Sequence, residues 1–176
     1  MKKIALVLLS LLMIVTLFSC KKDKSDAPDG MFYEANDVVD YQIFFPDGWS
    51  IDRNDGMVSA HVSDSDSSNV SVTAFALPRE YTTLDDYLDK EYLDYFSKNF
   101  SDMNVIEEFS EIEFAGNDAR RLVFSATVGG NSYQFMQIVT LHYDGYLYIL
   151  TYTSTPGAYN SHMEDVEKII SEFKFL

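Results

Sequence analysis

The sequence predicts an α+β domain whose mostly antiparallel sheet is covered on both faces. Three glycine-containing turns follow one another closely between residues 116 and 145, which is the spacing of an antiparallel meander. Residues 146–150 are apolar at consecutive positions, so both faces of the sheet's centre need a cover. Two amphipathic helices, near 84–100 and 157–173, can supply it.

The segments before the first helix alternate between strands and turns. Residues 41–45 (YQIFF) are strand-like and end at Pro-Asp-Gly. Residues 49–52 and 57–62 flank Asn-Asp-Gly, whose members tolerate positive φ, and are expected to pair as a hairpin. A polar loop is expected at 63–68. Residues 69–77 then alternate with a period of two, which is typical of a strand.

The first helix is predicted to begin at a capping box. The side chain of Thr83 can accept from the amide three residues later, and Asp86 can reach back to the amide of Thr83. Apolar side chains then recur every three or four positions, which indicates one core-facing stripe and not a ligand site. The stripe comprises Leu84, Leu88, Tyr92, Tyr95, Phe96 and Phe100.

Four strands and a second helix follow. The strands are predicted at about 104–114, 118–128, 132–143 and 146–154. Asp144 and Gly145 are the strongest turn signal, since both can adopt the positive φ of a type I′ turn. The last helix is expected to open near Pro156, with a capping box of Ser161 and Glu164. Its buried stripe is predicted to be Tyr159, Met163, Val166, Ile170 and Phe173.

The first twenty residues predict export and lipid attachment. Two lysines precede a mainly apolar stretch, 4–18, which is typical of a secretory signal and short for a permanent span. Residues 17–20 (LFSC) resemble the lipobox of bacterial lipoproteins, in which the cysteine takes a diacylglycerol before cleavage. We therefore expect 1–19 to be a lipoprotein signal peptide and Cys20, the single cysteine, to be the lipid-attachment residue. An ordinary secretory signal is the alternative.

The charge distribution separates a tether from an acidic domain. Residues 20–30 lack apolar periodicity and have the composition of a flexible tether. Residues 31–176 hold 8 Lys and Arg against 25 Asp and Glu, a formal charge of −17. Such a surface excludes nucleic acid as a partner, and an anionic bilayer would repel it. The lysines of the tether would instead be drawn to lipid headgroups, on the extracytoplasmic face of the bacterial cell membrane.

No motif in the chain predicts an enzyme or a bound cofactor. The sequence contains no Gly-x-Ser-x-Gly, no His-Glu-x-x-His and no phosphate-binding glycine loop. The three histidines, His61, His142 and His162, fall on three separate predicted elements. We interpret them as surface or satisfied core residues.

One polar run has alternating oxygen ligands of the kind that a hard cation prefers. Asp64 and Asp66 are weak candidate calcium ligands within residues 64–69 (DSDSSN). The run departs from the EF-hand pattern at Asn69, where glycine belongs, and at Phe75, where the closing glutamate belongs. We interpret it as a solvated hairpin loop.

Four segments in this order resemble the PsbP-like, or Mog1/PsbP-like, family of α/β/α sandwiches. They are residues 41–49 (YQIFFPDGW), 83–87 (TLDDY), 116–122 (GNDARRL) and 151–156 (TYTSTP). The resemblance covers residues 31–176 as one domain. It implies a fold used for docking onto other proteins, without catalysis.

Three functions remain open at the level of sequence. The favoured one is a lipid-tethered binding or assembly module that docks on another envelope protein. The second is a cation-binding protein that uses Asp64 and Asp66. The third is an aromatic-lined receptor for a glycan or small solute, with Tyr143, Tyr146 and Tyr148 as candidate contacts.

Overall fold

The computed structural model describes residues 27–35, 41–54 and 57–176. The strands are β1 (Met31–Ala35), β2 (Tyr41–Pro46), β3 (Ser50–Asn54), β4 (Met57–Ser63), β5 (Asp66–Ala76), β6 (Ser101–Phe114), β7 (Asn117–Val128), β8 (Asn131–Leu141), β9 (Tyr146–Ser154) and β10 (Lys174–Phe175). Helix α1 joins three pieces, Leu84–Tyr87, the π-helical Leu88–Tyr92, and Leu93–Asn99. After a 3-10 turn at Tyr159–His162, helix α2 spans Met163–Glu172.

The strands form two antiparallel sheets. The large sheet has seven strands in the order β3-β4-β5-β9-β8-β7-β6, and the small sheet has the order β1-β2-β10. The predicted meander is confirmed, because β6 to β9 pair in sequence order through short turns. The predicted hairpin of β3 and β4 is confirmed as well.

Both faces of the large sheet are buried, as the consecutive apolar residues predict. One core cluster lies beneath α2 and the small sheet, and the other lies beneath α1. Neighbouring residues of one strand enter opposite clusters: Ile138 joins the first and Val139 the second, and Leu150 and Ile149 divide in the same way. The predicted α+β class, with two helices covering a mostly antiparallel sheet, is confirmed.

The large sheet has two distinct ends. At the end that we call distal lie the connections 77–83, 115–116 and 142–145. At the opposite, N-terminal end lie the turn 64–65 and Ala27, where the first described segment begins. Strand β9, with nine residues, runs from the distal end to the N-terminal end. A strand of that length spans about 30 Å, which is the separation of the two ends.

Residues 27–31 lie at the N-terminal end, beside the beginning of α2. The amide of Asp47 donates to the carbonyl of Gly30 at 3.0 Å. Two residues later, the indole of Trp49 donates to Oδ2 of Asp165 at 3.3 Å. The start of α2 and the start of β5 are in turn joined by a histidine and an aspartate. The chain therefore enters the domain far from the distal end.

Helix α1 confirms the predicted cap and corrects the predicted stripe. Oγ1 of Thr83 accepts from the amide of Asp86 at 3.2 Å, while the Asp86 carboxylate pairs with Lys90 and does not reach back. Tyr95, which was predicted to belong to the core-facing stripe, is 58% exposed, and Tyr87 is buried instead. The π-helical turn explains the difference, because a wider turn keeps residues four apart on one face and rotates Tyr95 away from it.

The predicted type I′ turn at residues 144–145 is wrong. Gly145 has φ +84°, whereas Asp144 is absent from the described non-glycine residues with positive φ. The amide of Gly145 donates to the carbonyl of His142 at 2.9 Å, and His142 pairs with Tyr146 across a three-residue loop. This arrangement is a turn followed by a left-handed glycine, the usual pattern of a three-residue hairpin loop. Positive φ at both central positions occurs instead at Ala115 and Gly116.

The second predicted capping box does not form. Helix α2 begins after His162, which makes no side-chain capping hydrogen bond, so Ser161 and Glu164 do not cap it. A 3-10 turn at Tyr159–His162 leads into the helix instead. Ile169 is buried on α2 although the predicted stripe omitted it, and Ile170 is only partly buried.

The expected polar loop at 63–68 is shorter than predicted. Ser63 pairs with Asp66, so only residues 64–65 form the turn and β5 begins at Asp66. The small sheet contains two strands that periodicity did not indicate, β1 and β10, both paired with β2. A two-residue strand such as β10 is too short to carry a detectable alternation.

Candidate functional site

An open groove of about 850 Å³ lies at the distal end of the large sheet. Three connections meet there: the segment between β5 and α1, the β6–β7 turn and the β8–β9 loop. Its lining mixes aromatic, polar and aliphatic side chains, among them Leu77, Tyr81, Asn117, Asp118, His142 and Tyr143. The antiparallel pairing brings these connections to the distal end, because every second turn of an antiparallel sheet lies at the same end.

His142 is the buried centre of this end. Only 5% of the residue is exposed. Its ring stacks on Phe175 with centroids 4.2 Å apart and contacts the ring of Tyr143 at 4.0 Å. Nδ1 lies 3.5 Å from Oδ2 of Asp144 and makes no hydrogen bond within the described part of the chain. The β10 strand thus closes over the imidazole and fixes the base of the β8–β9 loop.

Asp144 organises the loop around His142. Its carboxylate accepts from the amide of Tyr146 at 2.8 Å and from the hydroxyl of Tyr148 at 3.0 Å. Burial alone would raise the pKa of Asp144, but these two hydrogen bonds and the adjacent His142 together hold that pKa below its usual value. The carboxylate therefore stays charged and keeps the loop in one conformation.

The three tyrosines that the sequence singled out differ in their exposure to solvent. Tyr143 is 86% exposed and Tyr146 is 46% exposed, so both project at the distal tip. Tyr148 is buried and turned toward the core, where its hydroxyl meets Asp144. Tyr148 is therefore wrong as a candidate surface contact: its side chain points to the same face as that of Tyr146, but two residues further into the sheet, where the core cluster beneath α2 covers it.

Tyr81 also lines the groove. The carboxylate of Glu91 on α1 raises the pKa of Tyr81 to about 12, and partial burial adds to the rise. The ring also meets Tyr87 edge-on at 5.4 Å. Helix α1 thereby positions the connection between β5 and α1. The sequence analysis did not single out Tyr81, Asn117 and Asp118. The only signal for these residues was that their connections lie at the same end of the sheet.

Each histidine lies beside an aspartate. Nδ1 of His61 is 2.9 Å from Oδ2 of Asp52, and Nε2 of His162 is 2.8 Å from Oδ2 of Asp66. These two pairs lie at the N-terminal end of the sheet, and His142 lies at the distal end. The three histidines fall on separate elements, as predicted. In residues 27–35, 41–54 and 57–176, no three His, Cys, Asp or Glu side chains are grouped to hold a metal.

Asp66 is already used by the fold. Its carboxylate accepts from the amide of Ser68 at 2.9 Å and contacts His162. The hydroxyl and amide hydrogen bonds from Ser68 lower the pKa of Asp66 to about 2, with a further contribution from His162. Asp64 is exposed in the two-residue turn. The two candidate calcium ligands are therefore a structural residue and a solvated one, and the absence of specific calcium binding by them stays a prediction.

The candidate lipid-attachment residue, Cys20, lies outside the described residues, as do the predicted signal peptide and most of the tether. Across the described part of the chain, no helix combines the length and apolar character needed to cross a bilayer.

Solved structures with similar architecture decide the fold. PsbP of the cyanobacterium Synechocystis (CyanoP) superposes with a TM-score of 0.61 at 16% identity, covering 86% of this chain and 96% of that one. The chain has the PsbP-like fold. PA94 of Pseudomonas aeruginosa, a protein of unknown function, gives a TM-score of 0.58 at 16% identity, covering 81% and 94%.

A third protein with the PsbP-like fold is linked by its description to cell envelope biogenesis. LpqN of Mycobacterium tuberculosis, described as involved in cell envelope biogenesis, gives a TM-score of 0.58 at 12% identity, covering 76% of this chain and 82% of that one. No protein-family model and no curated protein sequence matches the chain. At these identities the likeness shows the architecture alone, and the expected resemblance to the PsbP-like fold is confirmed at that level.

Proposed function

We propose that the protein is an extracytoplasmic, lipid-anchored, non-catalytic module that docks on another envelope protein. The observation that supports this proposal is that the N terminus and the groove lie at opposite ends of the domain. The described chain begins at the N-terminal end of the sheet, while the groove and the exposed Tyr143 and Tyr146 lie at the distal end. A protein held through its N terminus would present the distal end outward.

The proposed anchor sets the geometry of that presentation. Six residues lie between Cys20 and Ala27, and the seven steps from one to the other span at most about 25 Å. The distal end lies about 30 Å further along the strands. Electrostatic repulsion between the acidic domain and anionic headgroups would hold the domain away from the bilayer. The distal end therefore faces partners that extend from the membrane or lie beyond it.

The likeness to LpqN, an envelope protein by its description, supports an extracytoplasmic role. The surroundings of the three histidines support a non-catalytic one, because none of the three imidazoles contacts a nucleophile among the described hydrogen bonds. Buried aromatic side chains, and not a reactive centre, dominate the region around His142.

The anchor is tested by fractionation of cells that produce the Cys20→Ser variant. We expect the wild-type protein in the membrane fraction and the variant outside it, because the serine hydroxyl cannot take the diacylglycerol through a thioether. A variant that still sediments with membranes after a high-salt wash, with its signal uncleaved, would show that the apolar segment itself is the anchor.

The docking surface is tested by placing a photo-crosslinking amino acid at either end of the domain in intact membranes. Position 143 is at the distal tip, and position 128, 40% exposed at the end of β7, is the matched control at the N-terminal end. We expect one discrete cross-linked protein from position 143 and none from position 128. The same pattern from both positions, or none from position 143, would contradict the proposal.

A further inference from the structure

We propose that the distal groove receives a cationic side chain, arginine or lysine, from an extended segment of the docking partner. The proposal rests on the docking function above and names the chemistry that the partner presents. It follows from the walls of the groove, the charges around it and its open shape.

The walls of the groove provide aromatic faces held in fixed positions. Tyr143 is 86% exposed, yet its ring is seated on the buried imidazole of His142 at 4.0 Å. Tyr81 is restrained by its edge contact with Tyr87, whose ring centroid lies 5.4 Å away. A guanidinium or ammonium group is attracted to the face of such a ring, and the attraction is greater when the ring does not have to be ordered on binding.

The charges around the groove favour a cation. Asp118 lines it, and no lysine or arginine is among its lining residues. Glu113 lies opposite Asp118 in the pairing of β6 with β7, so a second carboxylate is located at the same turn. Asp144 carries its charge at the base of the facing loop. Arg120 on β7 is already paired with Asp85, and the exposed Arg79 of the 77–83 connection is not among the residues that line the groove.

The shape of the groove favours a chain segment over an enclosed small molecule. A pocket for a small ligand buries most of the ligand's surface. This groove is open to solvent between two hairpin turns, so its occupant stays partly exposed and can continue beyond it at either side. An extended segment that inserts one side chain between Tyr81 and Tyr143 satisfies that geometry.

The test is a titration of the isotopically labelled Cys20→Ser chain, which lacks the lipid, followed by nuclear magnetic resonance. The probes are N-acetyl-arginine amide and its neutral isostere N-acetyl-citrulline amide. We expect the arginine probe to shift the amides of Asn117, Asp118 and Gly145, with the citrulline probe binding about fivefold more weakly. The indole signal of Trp49, at the N-terminal end, reports on non-specific binding and should not move.

Two substitutions locate the effect, each with a matched control. Asp118→Asn and Tyr143→Leu should each weaken binding of the arginine probe about fivefold. Asp47→Asn, an exposed aspartate at the N-terminal end, and Tyr95→Leu, an exposed tyrosine on α1, should leave it unchanged. All four positions are exposed, so thermal melts should show that each variant remains folded.

The outcomes separate this inference from the docking function. Equal binding of the two probes would show that the groove does not select a cation, and preferential shifts of the same amides by maltotriose would show a glycan receptor. Either result overturns the inference, while a specific cross-link from position 143 would leave docking intact. Selective arginine binding without any cross-link from position 143 would uphold the groove's chemistry and contradict docking.

Discussion

Gly145 holds a backbone conformation that residues with a Cβ rarely adopt. Its φ is +84°, and a Cβ at this position would meet nothing within 4 Å, so a substitution there introduces strain without a clash. Gly145→Val should lower the free energy of unfolding by about 1–2 kcal/mol, because a β-branched residue is disfavoured at positive φ. Thermal denaturation measures the effect as a fall of about 2–4 °C per kcal/mol.

The matched control is Gly157→Val. Gly157 also has open space around its Cβ position, but its φ lies outside the left-handed region. We expect its melting temperature to change little. Equal melting temperatures for the wild type and Gly145→Val would mean that the β8–β9 loop is not held in this conformation.

Asp66 links the stability of the protein to pH. Its pKa in the folded state is about 2, below the 3.8 of a free side chain. The stabilisation is therefore complete above about pH 4 and is lost as the pH falls toward 2. With the side chain 32% exposed, we discount the contribution for solvent screening to about 1 kcal/mol.

The Asp66→Asn variant should accordingly be about 1 kcal/mol less stable than the wild type at pH 7, with a difference that shrinks below pH 4. Urea denaturation at several pH values measures this. Asp64→Asn, one turn residue away and exposed, should change stability by no more than about 0.5 kcal/mol. A destabilisation by Asp66→Asn that is independent of pH would show that the carboxylate charge is not the source.

At the scale of elements, helix α1 is held to the sheet by one buried polar contact. The hydroxyl of Tyr92 donates to Oε1 of Gln137 on β8 at 3.0 Å, and both residues are almost fully buried. Burial raises the pKa of Tyr92 well above its usual value, so the hydroxyl remains a donor at any physiological pH. This contact fixes the π-helical piece of α1 in register with the sheet.

Tyr92→Phe should lower the free energy of unfolding by about 1–3 kcal/mol, because it leaves a buried amide oxygen without its donor. Chemical denaturation gives the value. Tyr95→Phe, on the exposed side of the same helix, removes the same atom without desolvating a partner and should be neutral. Two equal effects would indicate that helix propensity, and not the buried hydrogen bond, is responsible.

The elements that sequence predicts well are those whose cause is local. Thr83 caps α1 as expected because the donor, Asp86, is three residues away. The stripe of α1 is misjudged at Tyr95 because a π-helical turn arises from packing on the sheet, which periodicity does not contain. Strand β10 is missed because Phe175 becomes a strand residue only by pairing with Tyr41, far away in sequence.

The candidate site shows the same limit. The sequence indicates Tyr143 correctly, because a tyrosine beside a turn projects into solvent. It does not indicate that Phe175 covers His142, or that Asp66 meets His162, a residue 96 positions away. These contacts depend on the order of strands in the sheet, so they follow from the fold and not from any local pattern.

At the scale of the whole molecule, self-repulsion within the domain is the dominant electrostatic feature. With a formal charge of −17 on residues 31–176, added salt should raise the melting temperature by screening. We expect sodium chloride and calcium chloride to act alike at matched ionic strength, with no separate effect of micromolar calcium. A thermal shift at micromolar calcium that disappears in the Asp64→Asn, Asp66→Asn double variant would establish a dedicated site.

The placement of the N terminus and the distal tip at opposite ends of the domain has a mechanical consequence. If the membrane holds the N-terminal end and a partner holds the distal tip, tension on the protein runs parallel to its strands. Hydrogen bonds of an antiparallel ladder lie across that direction, so the five registered pairs of β1 and β2 would bear the load together in shear and would not open one by one. In that arrangement the domain would also be a stiff coupling, able to transmit pulling force between the bilayer and the partner.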